Sequence, residues 1–217
     1  APSPLPKNQF RFNDQIVISE TCYTPPGLPS IKEVPPTFES INLVPFNSVW
    51  RFDRSGIGQP QGWQQSIHPL GGRWEQGIGP IGRETGSLPI PLQTAWSRDE
   101  YSSGTTTYYF ETYFNVSAEI IRQTDELVLN HLIDDGAIFY LNGTEIARFN
   151  MPVGPISPNQ LASSTVSNAT LKTLAFPGEL LQLGQNLLSV ETHQGSASSS
   201  DMVFGASLET ILITCVG

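Results

Sequence analysis

Hydrophobic and polar positions alternate most regularly across residues 107–116, where Tyr108, Phe110, Phe114 and Val116 fall on one side and Glu111 and Asn115 on the other. A two-residue period places successive side chains on opposite faces, so this run predicts a strand with its aromatic side turned to a core. Residues 126–133 predict a second strand. After it, Asn142-Gly143 separates two short β-prone runs. Asn-Gly most readily supplies the two positive φ angles of a type I′ turn, which predicts a tight antiparallel hairpin. A two-residue loop fixes the register, opposing Leu141 to Thr144, Tyr140 to Glu145 and Phe139 to Ile146. Phe139, Leu141 and Ile146 then share one face, and Ile138, Tyr140, Ala147 and Phe149 the other. Neither face is fully polar, so the hairpin is expected inside a two-layer structure.

Further strands are expected at 165–174, 187–193 and 202–215, with at most a short helical turn between residues 176 and 186. Residues 50–96 are aromatic and glycine-rich with little periodicity, and read as long loops and short strands over one end of a sandwich. Residues 1–48 form an N-terminal extension that carries β-capable segments at 10–20 and 38–44 around a proline-rich connector. Residues 49–217 form the main domain. The fold class expected is all-β, an antiparallel jelly-roll β-sandwich with an N-terminal strand-bearing extension.

Composition agrees: 18 prolines and 19 glycines punctuate the 217 residues at the spacing of short strands. A net charge of −9 repels phosphate backbones and anionic lipid, which argues against nucleic acid as a partner. No run approaches the ~20 apolar residues of a membrane span, so membrane insertion is not expected. The opening Ala1-Pro2-Ser3-Pro4 reads as a mature end left by signal cleavage or as an artificial boundary. The two cysteines, Cys22 and Cys215, lack zinc-ligand spacing. In a secreted chain they read as a disulfide worth up to ~5 kcal/mol, with free thiols or intersubunit bridges as alternatives. Few lysines and many serines, threonines and asparagines fit an extracellular or cell-surface location. Asn115, Asn142 and Asn168 each open a glycosylation triplet, the second inside the tight turn.

The order of motifs adds a resemblance. Trp50, Asp53, Gly56, Trp63 and Trp74 precede the strand at 107–116. Asp134-Asp135-Gly136-Ala137, then Tyr140-Leu141-Asn142-Gly143, then Gly184-Gln185-Asn186 and Val190-Glu191-Thr192-His193 follow. This pattern, over about residues 49–213, resembles the galactose-binding-domain-like jelly-roll modules of secreted bacterial proteins, and is similar to the sugar-binding domains of β-galactosidase-type glycosidases. The resemblance implies a non-catalytic sandwich and leaves the ligand open, because one fold serves many functions.

Several residues are candidates for chemistry. Asp134 and Asp135 are calcium candidates, although neighbouring strand residues point to opposite faces and a carboxylate accepting backbone N–H bonds in a turn explains them without metal. No cofactor is otherwise expected. His193 with Ser199, Ser200 and Asp201 suggests a hydrolase, but the serines sit in a low-complexity loop without a nucleophile elbow. Glu145 with Glu191 or Asp134 suggests a glycosidase pair, with solvated surface carboxylates the plainer reading. Trp63, Trp74 and Trp96, beside Gln64, Arg83 or Asp99, are candidates for stacking on a sugar, or else for plugging loops onto the sandwich.

Two functions follow. Phe10, Phe12, Ile16 and Ile18 have the makings of a strand added to the open sheet edge of another copy, which suggests self-assembly into a surface filament or matrix. The alternative is a carbohydrate-binding module for cell-surface or matrix glycans. Neither reading makes the chain an enzyme.

Overall fold

A computed structural model describes residues 37–100, 104–124 and 126–214. A compact unit runs Ser40–Leu212; a second unit takes residues 1–39 and 213–217, nearly all outside the described residues. The compact unit thus begins nine residues before the boundary expected at 49. The proposed donor strand of Phe10, Phe12, Ile16 and Ile18 and the Cys22–Cys215 pairing both lie outside the described residues.

The strands form two sheets of an antiparallel β-sandwich. One contains β1 (Thr37–Val44), β4 (Ile81–Arg83), β5 (Thr94–Ala95), β7 (Glu126–Asp134), β10 (Leu171–Pro177) and β12 (Met202–Thr214). Its order is β10-β7-β12-β4-β5, with β1 also paired to β12. The other contains β2 (Val49–Asp53), β3 (Trp74–Ile78), β6 (Thr107–Val116), β8 (Gly136–Leu141), β9 (Thr144–Phe149) and β11 (Gly184–His193), ordered β3-β2-β6-β11-β8-β9. Along both paths every pairing is antiparallel except β4 with β5.

The predicted alternation of β6 buries Tyr108, Phe110, Phe114 and Val116 in the core between the sheets. Phe110 stacks on Phe204 of β12 with ring centroids 3.8 Å apart, and Trp50 of β2 meets the same Phe204 edge-on at 4.7 Å. Each such side chain contributes ~1.5–3 kcal/mol of hydrophobic stabilisation, and together they hold one sheet on the other. Glu111, expected to point into solvent, does face away from the core but is itself fully buried, because a loop covers that side of the sheet.

The hairpin turn forms as predicted, with Asn142 at φ 51° and Gly143 at φ 84°. The register departs one residue further on. Tyr140 opposes Glu145, but Phe139 opposes Ala147 rather than Ile146, through a bulge between Phe139 and Tyr140. The inserted residue turns Ala147 and Phe149 to the core side, where they pack on the main cluster instead of sharing the outer face with Tyr140. The strand expected at 165–174 begins only at Leu171, opposite Leu132 of β7. Between β6 and β7 a single short helix, α1 (Ala118–Gln123), starts where the Ser117 hydroxyl accepts the Ile120 N–H.

Candidate functional site

The outer face of the β6 sheet is roofed by the chain between β2 and β3. Trp63 lies edge-on to Tyr109 at 5.0 Å and to Tyr140 at 6.0 Å, and Trp74 stacks on His68 at 4.3 Å. Trp96 belongs to the main core, against Phe52 and Tyr108. All three indoles are at most 8% exposed, which fits the alternative that they plug the loops onto the sandwich and leaves none of them open as a sugar platform. The physical reason is that glycine-rich loops hold few other apolar groups, so the large aromatic surfaces are what anchors them.

Beneath the roof, polar groups pair off. Glu111 accepts the His68 backbone N–H at 2.6 Å and lies 2.8 Å from His68 Nδ1, while Arg51 donates to the His68 carbonyl. Burial raises the Glu111 carboxyl above the usual carboxylate range, and the bonds from His68 offset only part of that. The Tyr140 hydroxyl donates to Glu191 at 2.5 Å. Burial, reinforced by the Glu191 charge, pushes the Tyr109 phenol up to about 12 and raises Tyr140 as well.

Glu191 is therefore buried rather than solvated, and the exposed Glu145 pairs separately with the half-buried Arg148 at 2.5 Å. His193 Nδ1 contacts the Gln160 carbonyl at 2.8 Å and Thr107 Oγ1 at 3.1 Å; Ser199 donates to Asp201 at 2.9 Å; the Ser200 carbonyl accepts from Arg83. Each member of the suspected hydrolase set thus has a partner that stabilises a loop. The two aspartates part company. Asp135 accepts the backbone N–H groups of Val166 at 2.5 Å and Gly195 at 2.6 Å, the turn-stapling role anticipated as the metal-free reading. Asp134, on β7, instead faces Glu84 and Asp201.

The sandwich also carries a surface groove of about 410 Å³, lined by Gln65, Ser66, Ile67, Tyr113, Asn142, Gln182, Gln185, Asn186 and Leu187. The Asn142-Gly143 turn builds one wall. Asn142 donates to the Leu180 carbonyl and to Asn186 Oδ1, each at 2.8 Å, and accepts the Leu187 N–H at 2.9 Å. Asn186 ties down the approach to β11 through the Gln182 N–H and the carbonyls of Gln182 and Gly184. With their donors and acceptors used, these two asparagines shape the groove. Gly143 admits Gln65 beside the turn, since a Cβ there would sit 2.8 Å from Gln65 Cγ.

The rest of the lining is uncommitted. Among the described residues, the side chains of Gln65, Gln182 and Gln185 and the Tyr113 hydroxyl make no hydrogen bond, and Tyr113 is 39% exposed on the outer face of β6. Not one lining residue is an acid or a base of the charged kind, although the whole chain carries a net charge of −9. The groove thus offers neutral donors and acceptors around an aromatic ring. Sequence reasoning passed over Tyr113 and the three glutamines. The available signal was an aromatic at the outward phase of the β6 alternation, next to Glu111 and Asn115.

No family model matches the chain, and no curated protein sequence matches it. Among solved structures, the Bifidobacterium dentium β-glucuronidase complexed with coumarin-3-O-glucuronide is similar at 16% identity and a TM-score of 0.45, over 76% of this chain and 21% of that one. The Ruminococcus gnavus β-glucuronidase is similar at 13% identity and a TM-score of 0.49, over 86% of this chain and 30% of that one. The chain therefore spans less than a third of the length of these solved structures. Fold and groove define its class: an antiparallel β-sandwich bearing an uncharged, amide-lined surface groove.

Proposed function

We propose that this chain is a non-catalytic carbohydrate-binding module of the galactose-binding-like jelly-roll kind, acting on neutral glycans outside the cell. The observation that carries the reading is the groove in which Gln65, Gln182 and Gln185 surround Tyr113 with their amides uncommitted. A sugar hydroxyl both donates and accepts, and a primary amide answers it with the same pair of functions. The Tyr113 ring suits the apolar C–H face of a pyranose, and the groove volume falls within the ~300–1,000 Å³ of small-ligand sites. An uncharged lining favours neutral sugars over phosphorylated or sulfated ones. The motif order of residues 49–213 supports the same fold-level assignment.

The test is a glycan array probed with the full chain, then repeated with Tyr113→Ala and Gln185→Ala. Binding to neutral glycans should weaken by roughly 10-fold or more in each variant, equivalent to about 1.4 kcal/mol, with the unfolding temperature unchanged. A blank array, or binding indifferent to both substitutions, refutes the proposal.

A further inference from the structure

The sheet containing β7, β12 and β4 brings three carboxylates to one end. Asp134 closes β7, Glu84 follows β4 directly, and Asp201 immediately precedes β12. β12 lies between the other two strands, with Val203 opposite Asp134 and Met202 opposite Arg83. Because β12 runs antiparallel to both neighbours, its start coincides with their ends, and that topology forces the convergence. Carboxylate oxygens of the three residues lie within 4.8 Å of one another. A single ion holding oxygens at ~2.3–2.6 Å spans that distance.

A second observation separates this cluster from an ordinary acidic surface. Asp134 is 2% exposed, and its Oδ2 has no hydrogen-bond partner; Glu84 Oε2 is likewise buried without one. The other Glu84 oxygen accepts the N–H groups of Thr85 and Gly86, each at 2.6 Å, so the side chain is held while Oε2 stays uncommitted. Asp201 is oriented by the Ser199 hydroxyl. Among the described residues neither Glu84 nor Asp134 has an ion-pair partner. Burying convergent negative charge without compensation costs several kcal/mol per ion, so the arrangement calls for a positive charge at its centre.

We propose that Glu84, Asp134 and Asp201 bind one calcium ion, which ties the ends of β4 and β7 to the start of β12. The donor set is all oxygen, which suits a hard cation and offers nothing to select zinc or copper. Glu84 and Asp201 are only half-buried, which leaves a path for the ion and room for water to complete its coordination. Asp135 takes no part, since both its oxygens are used by backbone N–H groups.

The test uses the full chain stripped with a chelator. Calcium titrated calorimetrically should bind at one ion per chain, and millimolar calcium should raise the unfolding temperature by several degrees, as for any ligand that binds only the folded state. Glu84→Gln, at a half-exposed position that tolerates the change, and Asp134→Asn should each weaken calcium binding by ~10-fold or more, removing most of that rise. A stripped chain that calcium neither heats nor stabilises overturns the proposal, the more so if Asp134→Asn is more stable than the parent, since the cluster then holds a proton. Binding that survives both substitutions overturns the assignment to these residues.

Discussion

His131 sits where the inward alternation of β7 calls for an apolar residue, in phase with Leu127, Leu129 and Ile133. It is fully buried between Phe139 at 5.2 Å and Phe149 at 4.7 Å, and neither ring nitrogen has a hydrogen-bond partner. Burial, followed by the charge of its β10 neighbour Lys172, lowers its pKa from 6.5 to about 4. The folded state therefore holds His131 neutral through a range in which the unfolded chain takes up a proton. Stability contributed this way is intact above about pH 6.5, falls as the pH drops, and is fully lost by about pH 4. At ~1.36 kcal/mol per pH unit the gap amounts to ~3 kcal/mol in all, of which ~2 kcal/mol is gone by about pH 5.

The perturbation is His131→Leu, which keeps a similar volume and removes the titration. Near neutral pH the variant should be as stable as the parent or more so, because it deletes two buried polar atoms that lack partners. Urea unfolding of both proteins at about pH 7.5 and about pH 5 separates this effect from the chain's other titrations. The stability difference should shift by ~2 kcal/mol in favour of the variant at the lower pH. Parallel pH profiles would refute the reasoning, since His131 would then protonate as readily folded as unfolded.

Two further substitutions test how loops are held. Asn142→Ala removes three side-chain hydrogen bonds and leaves a β-carbon residue at φ 51°, so it should cost ~2–4 kcal/mol by urea unfolding, with Asn142→Gly recovering the backbone part alone. Asp135→Asn places an amide N–H₂ against the N–H of either Val166 or Gly195. A loss of ~2–4 kcal/mol is expected, together with faster proteolytic cleavage near residue 166; unchanged cleavage would show that the staple does not hold that loop.

The sandwich itself was legible because its long strands carry the signals that physics reads most directly. The alternation of β6, the Asn-Gly turn and the strand at 126–133 each follow from local pattern alone. The bulge at Phe139 was not legible, because whether Ala147 and Phe149 join Ile146 on the core side depends on the opposite sheet, where His131 receives Phe149. Glu111 was read as outward from strand phase and Glu191 as a solvated carboxylate, and neither reading reports what a distant loop lays on top. The acidic trio was half visible. Asp134 stood out beside Asp135, but Glu84 and Asp201 join it only through the strand order β7-β12-β4, which no local pattern encodes.

The proposed sugar site rests on a different aromatic from the three indoles, and the outer face of β6 explains why. Three outward side chains follow one another there: Tyr109 lies under Trp63, Glu111 under His68, and Tyr113 lies open. The roof that hides the first two supplies the rim of the third, since Gln65, Ser66 and Ile67 lie only two to four residues past Trp63. An indole that anchors a loop is unavailable to a ligand, whereas the aromatic just past the loop's edge is exposed by the same packing. Anchoring by Trp63 is thus what fixes Gln65 beside Tyr113. Trp63→Ala should accordingly weaken glycan binding by loosening the rim, while leaving the Tyr113 platform in place.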